Sequence, residues 1–273
     1  MFDEPMIYQA ARLVSASERI VAFSGAGMSE ESGIPTFRDP GGLWDRYDPD
    51  ETGGGDIFAA LMSGASSLET TTKFVSEFVS VFEIARPNPG HVALKKLEEI
   101  GLLSSVITQN IDNLHREAGN ELVIEVHGNI CRMVCLGCGR KTVHARDEFL
   151  AMGRRLVELL ESGNLSGLLE LVQVCDCGGM SRLDVVGFGE PVQDMHQAYL
   201  EARECDLMLV LGTSGVVFPA ASIPPHAKKA GANLIEINAT GSCFPGLADL
   251  SIIGRTGEVL PYIIERVLSL RGL

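Results

Sequence analysis

Two close pairs of cysteines are the residues whose spacing most directly suggests chemistry. Cys135 and Cys138 form a C-x-x-C pair, and Cys175 and Cys177 form a C-x-C pair. Four thiolates can bind one zinc ion tetrahedrally, and such a site leaves no open position for catalysis. The second pair is one residue short of the common spacing, and 36 residues separate the two pairs. We therefore predict one structural zinc site, with Cys131 as an alternative ligand that is more readily explained by packing.

A tight glycine turn, Gly25-Ala26-Gly27, follows the apolar run Arg19–Phe23. Such a turn can offer backbone N–H groups to a phosphate at a helix N-terminus. The dehydrogenase fingerprint requires a glycine three residues after Gly27, but Glu30 occupies that position. No clear second strand ends in an acidic residue at the expected distance. Hydride transfer is therefore disfavoured, and the turn needs another explanation.

His127 stands at the end of a second apolar run, Leu122–Val126, so its ring is expected to project from the edge of a sheet. A histidine with a pKa near 6.5 can accept a proton at neutral pH, but an isolated histidine is more often structural, so both a base and a structural role are open for His127 at this point. The remaining histidines are interpreted as structural: His91, His115, His144, His196 and His226.

The elements that must position these residues are short apolar strands separated by helical patterns. The strand candidates are Arg19–Phe23, Ser105–Thr108, Leu122–Val126, Asp206–Leu211 and Asn233–Ile237, with helical patterns at Met6–Ala16, His91–Ile100 and Ala220–Ala230. Strands without internal alternation indicate a parallel sheet that is covered on both faces. We predict an α/β fold with a Rossmann-like, doubly wound parallel sheet, in which ligands bind at the carboxyl ends of the strands.

Two regions interrupt this pattern, and we predict that they form a smaller domain. Residues 40–89 contain a glycine-rich loop and short helical patterns, and residues 128–184 contain five of the seven cysteines and a helical stretch, Asp147–Leu171. The Rossmann-like sheet domain would then comprise residues 1–39, 90–127 and 185–273. The smaller domain would combine a helical insertion with the zinc-binding module.

The formal charge of −14 argues against direct binding to nucleic acid, because an acidic surface repels phosphates, and is compatible with lysine-rich protein partners. No apolar stretch approaches the length of a membrane span. Met1–Tyr8 carries acidic residues where an export signal would carry basic ones. Cysteines in such a chain favour metal binding or packing over disulfides, and Cys205 and Cys243 are predicted to be buried. We expect a cytoplasmic protein without membrane association.

The longer segment around the glycine turn runs Gly-Ala-Gly-Met-Ser-Glu-Glu-Ser-Gly-Ile-Pro-Thr-Phe-Arg-Asp from Gly25 to Asp39, and it resembles the signature of the sirtuin family. Three further segments agree with that family in order and spacing: Thr108–His115, Val126–Gly128 and Gly212–Ser214. With Val185–Glu190 and Ile235–Asn238, the resemblance to sirtuins of prokaryotic type covers essentially the whole chain.

The resemblance implies an NAD-dependent protein-lysine deacylase that consumes NAD and carries one structural zinc. The implied NAD-binding residues are Gly25, Ala26, Gly27, Ser29, Phe37, Arg38, Gln109, Asn110, Asp112, Gly212, Thr213, Ser214, Asn238 and Thr256. Of these, Phe37 and Arg38 would cover the reacting ribose. Thr256, in a predicted Gly-Arg-Thr-Gly turn, would contact adenine through its backbone.

The implied catalytic residues are His127 and Asn110. In the implied reaction the acyl oxygen attacks the ribose as nicotinamide leaves, and His127 then deprotonates a ribose hydroxyl. That hydroxyl attacks the imidate formed in the first step, and water completes the release of free lysine and O-acyl-ADP-ribose, with nicotinamide as the other product. The residues implied in binding an extended acyl-lysine peptide, which would add a strand to the protein, are Val186, Phe188, Gly189 and Glu190.

Two departures from family patterns bear on the acyl group. Gly187 stands where an aromatic residue is common, so one wall of the acyl tunnel is expected to differ. Sirtuins that remove succinyl groups resemble one another in a Tyr-x-x-Arg pair, and those positions here are Val75 and Phe78. A carboxylate would have no cation there, and burying it unpaired is costly. We predict a preference for acetyl or longer apolar acyl groups.

Two other functions remain open at this point. The same cleft could transfer ADP-ribose to another nucleophile or hydrolyse NAD, but His127 and the peptide segment favour deacylation. The chain could instead be a non-catalytic module that senses NAD or binds protein. The presence of Asn110, Asp112 and His127 argues against that function.

Overall fold

The computed structural model describes residues 3–36, 46–47 and 66–273. Phe37 and Arg38, to which a role at the reacting ribose was assigned, lie outside the described residues. Residues 40–45 and 48–65 of the predicted insertion at residues 40–89 do as well.

Six parallel strands form the larger sheet, in the spatial order β3-β2-β1-β7-β8-β9. These strands are β1 (Ile20–Ser24), β2 (Leu103–Thr108), β3 (Val123–Glu125), β7 (Leu207–Leu211), β8 (Asn233–Asn238) and β9 (Leu250–Ile253). The central strands are almost wholly buried, which explains why their sequences lack polar alternation. The predicted parallel sheet is confirmed, and β9 is a strand that the sequence analysis missed.

Helices cover both faces of this sheet. The α-helices of the described residues, not all of which contact this sheet, are α1 (Glu4–Ala16), α2 (Leu68–Ile84), α3 (Pro89–Glu99), α4 (Leu114–Glu117), α5 (Arg146–Glu161), α6 (Met195–Glu204), α7 (Ile223–Ala230) and α8 (Thr256–Arg271). One face packs against α1, α3 and α8, and the other against α6 and α7. No helix of the described residues has the length and apolar composition that a membrane span requires.

The register of the larger sheet brings the carboxyl ends of five strands to one level. Ser24 at the end of β1 pairs with Thr108 of β2 and with Leu211 of β7. Thr108 pairs with Glu125 of β3, and Leu211 pairs with Ile237 of β8. The residues that follow these strands therefore leave the sheet side by side, along the edge where ligands bind in doubly wound folds.

A smaller antiparallel sheet has the order β5-β4-β6, with β4 at Gly128–Cys135, β5 at Lys141–Val143 and β6 at Ser181–Val185. Helices α2 and α5 pack together beside it around a separate apolar cluster. This packing supports the division into a sheet domain and a smaller domain, which we retain as a proposal.

Two helical segments differ from their predictions. The stretch Asp147–Leu171 is not one helix: α5 ends at Glu161, Gly163 follows with φ +67°, and a 3-10 helix spans Leu165–Leu171. The helical pattern predicted at Ala220–Ala230 is divided: a 3-10 helix spans Ala220–Ser222, and α7 begins at Ile223, with Pro224 and Pro225 in its first turn, where no N–H bond is lost.

Candidate active site

A cavity of about 380 Å³ opens at the carboxyl edge of the larger sheet, between that edge and the smaller sheet. The sequence-predicted site residues at its surface are Gly25, Ala26, Gly27, Gln109, Asn110, His127, Val186, Phe188, Gly189, Glu190, Gly212, Thr213, Ser214, Asn238 and Thr256. Residues from distant parts of the chain therefore meet at one cavity because the strands that precede them end at one level.

Two glycine loops pack directly on each other at this cavity. A Cβ atom on Gly25 would lie 2.9 Å from the Gly212 carbonyl oxygen, and one on Gly27 would lie 2.9 Å from the Gly212 Cα. Gly212 also has φ +54°, a conformation that glycine adopts without strain. The loops after β1 and β7 can approach this closely only because none of the three residues has a side chain.

The glycine turn differs from the sequence prediction in how it uses its N–H groups. The Gly25 N–H donates to the Leu211 carbonyl at 3.0 Å and the Gly27 N–H to the Gly212 carbonyl at 2.8 Å, so both are satisfied within the protein. Two 3-10 turns follow, Ala26–Met28 and Glu30–Ser32, instead of an α-helix. These two N–H groups therefore hold the loops together and are not directed to a phosphate.

The long helix whose N-terminus reaches the cavity is α8. Thr256 is its first residue, which corrects the prediction of a turn at this position, and its Oγ1 donates to the Gly27 carbonyl at 3.3 Å. The Gly257 N–H donates to the Glu31 carboxylate at 2.6 Å. Burial raises the pKa of Glu31, partly offset by that N–H bond. The C-terminal helix is thereby joined to the loop after β1.

A chain of hydrogen bonds orients Asn110. Its Nδ2 donates to the Gly25 carbonyl at 3.0 Å and to Ser29 Oγ at 3.1 Å, so its Oδ1 is the atom that can accept from a ligand. Ser29 Oγ in turn donates to Asp112 at 2.6 Å, and Asp112 accepts the Leu114 N–H at 2.9 Å. Both Ser29 and Asp112 are buried and are not among the described residues that line the cavity. In this structure their side chains bond to Asn110, to each other and to the Leu114 N–H, and the direct contacts with NAD expected from the sequence stay a prediction.

His127 follows β3 and is fixed by one backbone bond. Its Nδ1 lies 3.0 Å from the Gln109 carbonyl oxygen. A carbonyl only accepts, so Nδ1 carries the proton and Nε2 is the nitrogen that can act as a base. Burial lowers the pKa of His127 below 6.5, although the Gln109 carbonyl opposes that shift. The ring is therefore neutral at pH 7, as a general base must be.

Asn238, at the end of β8, is held by a residue that the sequence analysis missed. Its Nδ2 donates to the Thr213 carbonyl at 3.1 Å and to Glu236 Oε1 at 3.0 Å. Glu236 is 1% exposed, and hydrogen bonds led by those of Cys243 and Ser242 outweigh burial and hold its pKa below the usual value. An acidic residue within an apolar strand was the signal that could have revealed this role.

The segment after β6 forms the opposite wall. The Val186 N–H donates to the His127 carbonyl at 3.0 Å, which links this segment to the predicted base. Glu190 accepts the Gly187 N–H at 2.9 Å and pairs with Arg182 at 2.8 Å. These bonds outweigh the effect of burial and lower the pKa of Glu190. Because β6 is an edge strand of the smaller sheet, an extended peptide could pair beside it.

Apolar side chains line the remaining wall: Phe74, Phe78, Ile111, Ile130, Leu183 and Val185. Phe78 is one of the two positions singled out for acyl selectivity, and it faces the cavity. Val75, the other position, is 3% exposed and packs within the α2–α5 cluster instead.

The four predicted zinc ligands meet at one point although the second pair is C-x-C. Their sulfurs all lie within 4.8 Å of one another, with Cys135 and Cys177 at 3.5 Å and Cys138 and Cys175 at 3.7 Å. Tetrahedral zinc with Zn–S bonds of about 2.3 Å separates its sulfurs by about 3.8 Å, so the group fits a zinc ion. Cys131 is buried outside this group.

The glycines of the two cysteine loops allow this approach. A Cβ on Gly179 would lie 2.9 Å from Cys135 Sγ, and the Gly137 N–H donates to the same sulfur at 3.3 Å. Of the two remaining cysteines, Cys205 is buried as predicted, whereas Cys243 is half-buried.

The model of the Sir2 family matches residues 25–219. The chain is 46% identical over 267 residues to an NAD-dependent protein deacylase of Desulfosudis oleivorans, covering 97% of each chain. The chain belongs to the Sir2 family. The sirtuin assignment made from the sequence motifs is thereby confirmed.

Solved structures of the family agree with the fold. A Sir2 homologue in complex with NAD superimposes with a TM-score of 0.75 at 33% identity, covering 96% of this chain and 94% of that one. A Sir2 protein bound to a myristoylated histone peptide superimposes with a TM-score of 0.68 at 32% identity, covering 99% of each chain.

The cysteine cluster predicts one zinc per chain. Cys138→Ser should lose the metal and unfold at a lower temperature, because structural zinc contributes directly to folding. Metal content by mass spectrometry and thermal unfolding by circular dichroism are the measurements. Cys243→Ser, outside the cluster, should keep one zinc. Full zinc content in Cys138→Ser would contradict the assignment of this ligand.

The environment of His127 predicts the acid limb of the pH profile. The base works only when neutral, and its pKa is lowered below 6.5. Activity should therefore persist as pH falls to 6.5 and decline only when pH passes through the lowered pKa. Measuring kcat/KM for an acyl-peptide between pH 5 and pH 8 tests this. An acid limb centred above 6.5 would exclude His127 in this environment as the titrating group.

Proposed function

We propose that this protein is an NAD-dependent protein-lysine deacylase of the Sir2 family, with His127 as the general base. The observation that carries the proposal is the position of His127. Its Nδ1 is fixed by the Gln109 carbonyl, and its own carbonyl binds the segment predicted to hold the peptide. Base, cofactor loops and peptide wall therefore share one cavity.

NAD supplies an electrophilic ribose carbon with nicotinamide as its leaving group, and it accepts the acyl group. The surface that would hold it is backbone-rich, consisting of Gly25–Gly27 and Gly212–Ser214, and Asn238 borders it through its bond to the Thr213 carbonyl. Asn110 would meet the nicotinamide end through Oδ1, since its Nδ2 is committed to the protein. Each polar group is thus oriented before the ligand arrives, which lowers the cost of reaching a reactive geometry.

His127 moves one proton in this scheme. Its Nε2 accepts a proton from a ribose hydroxyl, and the Gln109 carbonyl stabilises the imidazolium that forms. The apolar wall of Phe74, Phe78 and Ile130 limits access of water to the acyl group.

The acyl-lysine would enter between the Val186–Glu190 segment and this apolar wall. The relative with a myristoylated histone peptide shows that a family member accepts a long apolar acyl chain. In this chain the described wall offers aromatic and aliphatic side chains at Phe74, Phe78 and Leu183. We propose acetyl and longer apolar acyl groups as substrates, presented on lysine-containing proteins.

The reducing cytoplasm is our proposed location, because all seven cysteines are free of disulfides.

Replacing His127 tests the function directly. His127→Ala should reduce deacylation by about 10²- to 10⁴-fold, the usual contribution of a general base. The assay combines NAD with an acetylated peptide and follows nicotinamide, deacetylated peptide and O-acetyl-ADP-ribose by mass spectrometry. His196→Ala, at an exposed histidine, is the matched control and should retain activity. Nicotinamide release without peptide deacetylation by the wild type would instead favour ADP-ribosyl transfer or NAD hydrolysis.

The apolar wall predicts discrimination between acyl groups of equal length. Butyryl-lysine and succinyl-lysine both carry a four-carbon acyl group, but the succinyl carboxylate would be buried against the described apolar wall, whose side chains offer it no cation. We expect kcat/KM for butyryl-lysine to exceed that for succinyl-lysine by at least about tenfold, which corresponds to about 1.4 kcal/mol. Strong succinyl-lysine turnover with weak acetyl-lysine turnover would refute the proposed acyl preference.

A further inference from the structure

Two buried carboxylates lie where the two sheets meet, and one arginine bridges them. Glu125 at the end of β3 is 4% exposed, and Asp184 in β6 is 2% exposed. Arg132 in β4 donates through Nη1 to Glu125 at 2.8 Å and through Nε to Asp184. The arginine side chain is only 14% exposed. The guanidinium fork suits this position because it can bond two carboxylates at once in fixed directions.

The bridge lies at a break in the backbone pairing of the smaller sheet. Strand β4 pairs with β6 at Asn129 and Asp184, but its next pair is Met133 with Leu183. Residues 130–132 of β4 thus have no counterparts on β6, and these three extra residues interrupt the ladder as an enlarged β-bulge. Where the ladder is missing, the side chain of Arg132 connects β4 to β6 and also to β3.

The two carboxylates of this bridge are close in sequence to the predicted base and to the predicted peptide-binding segment. Glu125 lies two residues before His127, and Asp184 lies two residues before Val186. The Val186 N–H donates to the His127 carbonyl. None of the three bridge residues is among the described residues that line the cavity. Any effect on the reaction must therefore pass through His127 and the segment after β6.

We propose that Arg132 is a positioning residue that sets the spacing between His127 and the peptide-binding segment Val186–Glu190. The inference rests on the proposed deacylase function. Loss of the bridge leaves two buried carboxylates without their shared cation, and they separate toward water. The β6 end of the peptide wall then moves away from the base. The NAD surface is built on other strands and keeps its shape.

The chain supplies two matched controls at the rim of the same network. Arg116 donates to Glu125 at 3.1 Å, and Lys141 lies 3.1 Å from Asp184. Each of these cations is 40% exposed and contacts one carboxylate of the pair. Removing either one deletes a positive charge from the network but leaves the bridge between β3 and β6 intact.

The experiment compares Arg132→Met, Arg132→Lys, Arg116→Met and Lys141→Met with the wild type. Binding of a fluorescent acetyl-lysine peptide is measured by anisotropy, and KM is measured separately for peptide and for NAD. Arg132→Met should raise the peptide Kd and KM by about tenfold or more, since small misplacements of reacting groups are costly. Its KM for NAD should stay within about twofold. Arg132→Lys should recover part of the peptide affinity, and both rim variants should resemble the wild type.

Several results would overturn the proposal. A folded Arg132→Met protein with unchanged peptide Kd and KM would show that the bridge serves stability alone. Equal loss of peptide affinity in either rim variant would show that bridging is irrelevant. If Arg132→Met does not fold, Asp184→Asn is the second variant, and wild-type peptide affinity there also contradicts the proposal. A wild-type protein that binds peptide without deacylating it would refute the proposed function, while the affinity comparison still tests Arg132.

Discussion

The common level at which five parallel strands end is the constraint on which the active site depends. Backbone pairing of Ser24 with Thr108 and Leu211 fixes that level for the central strands. The loops that follow must then share a narrow space, and close approach is possible only where side chains are absent, at Gly25, Gly27 and Gly212. The cavity is therefore a consequence of strand register combined with glycine placement.

Burial of polar groups near this edge determines how the functional side chains point. An amide or carboxylate without a partner is costly in the interior, so each buried group must be satisfied. The Nδ2 of Asn110 donates to Gly25 and Ser29, and the Nδ2 of Asn238 donates to Thr213 and Glu236. Because each buried Nδ2 must have a partner, it bonds within the protein. The Oδ1 atom of each amide is then left to accept from a ligand.

Features that depend on local sequence pattern could be predicted from the sequence. Features that depend on contacts between distant residues could not. Apolar strands with polar or glycine ends were recognisable, and so was the cysteine cluster, despite its C-x-C half. The smaller sheet was not, because β5 is wholly exposed and β4 is interrupted by unpaired residues. Arg132 gave no signal of its role, since its partners Glu125 and Asp184 are brought to it by different sheets. The use of the Gly25 and Gly27 N–H groups also depends on a loop almost 190 residues away.

One half of the cavity is formed by backbone loops and the other by side chains. Substitutions are therefore tolerated in the second half more readily than in the first. The proposed cofactor side depends on the backbone of interlocked glycine loops, where any added Cβ meets another backbone atom. The proposed acyl side depends on side chains such as Phe74, Phe78 and Leu183, which can be exchanged for other apolar side chains of similar volume. Substitutions on that wall can alter the acyl group accepted without moving the NAD surface. Acyl selectivity is therefore the property of this site that substitutions can alter most readily. NAD dependence is the property that they can alter least.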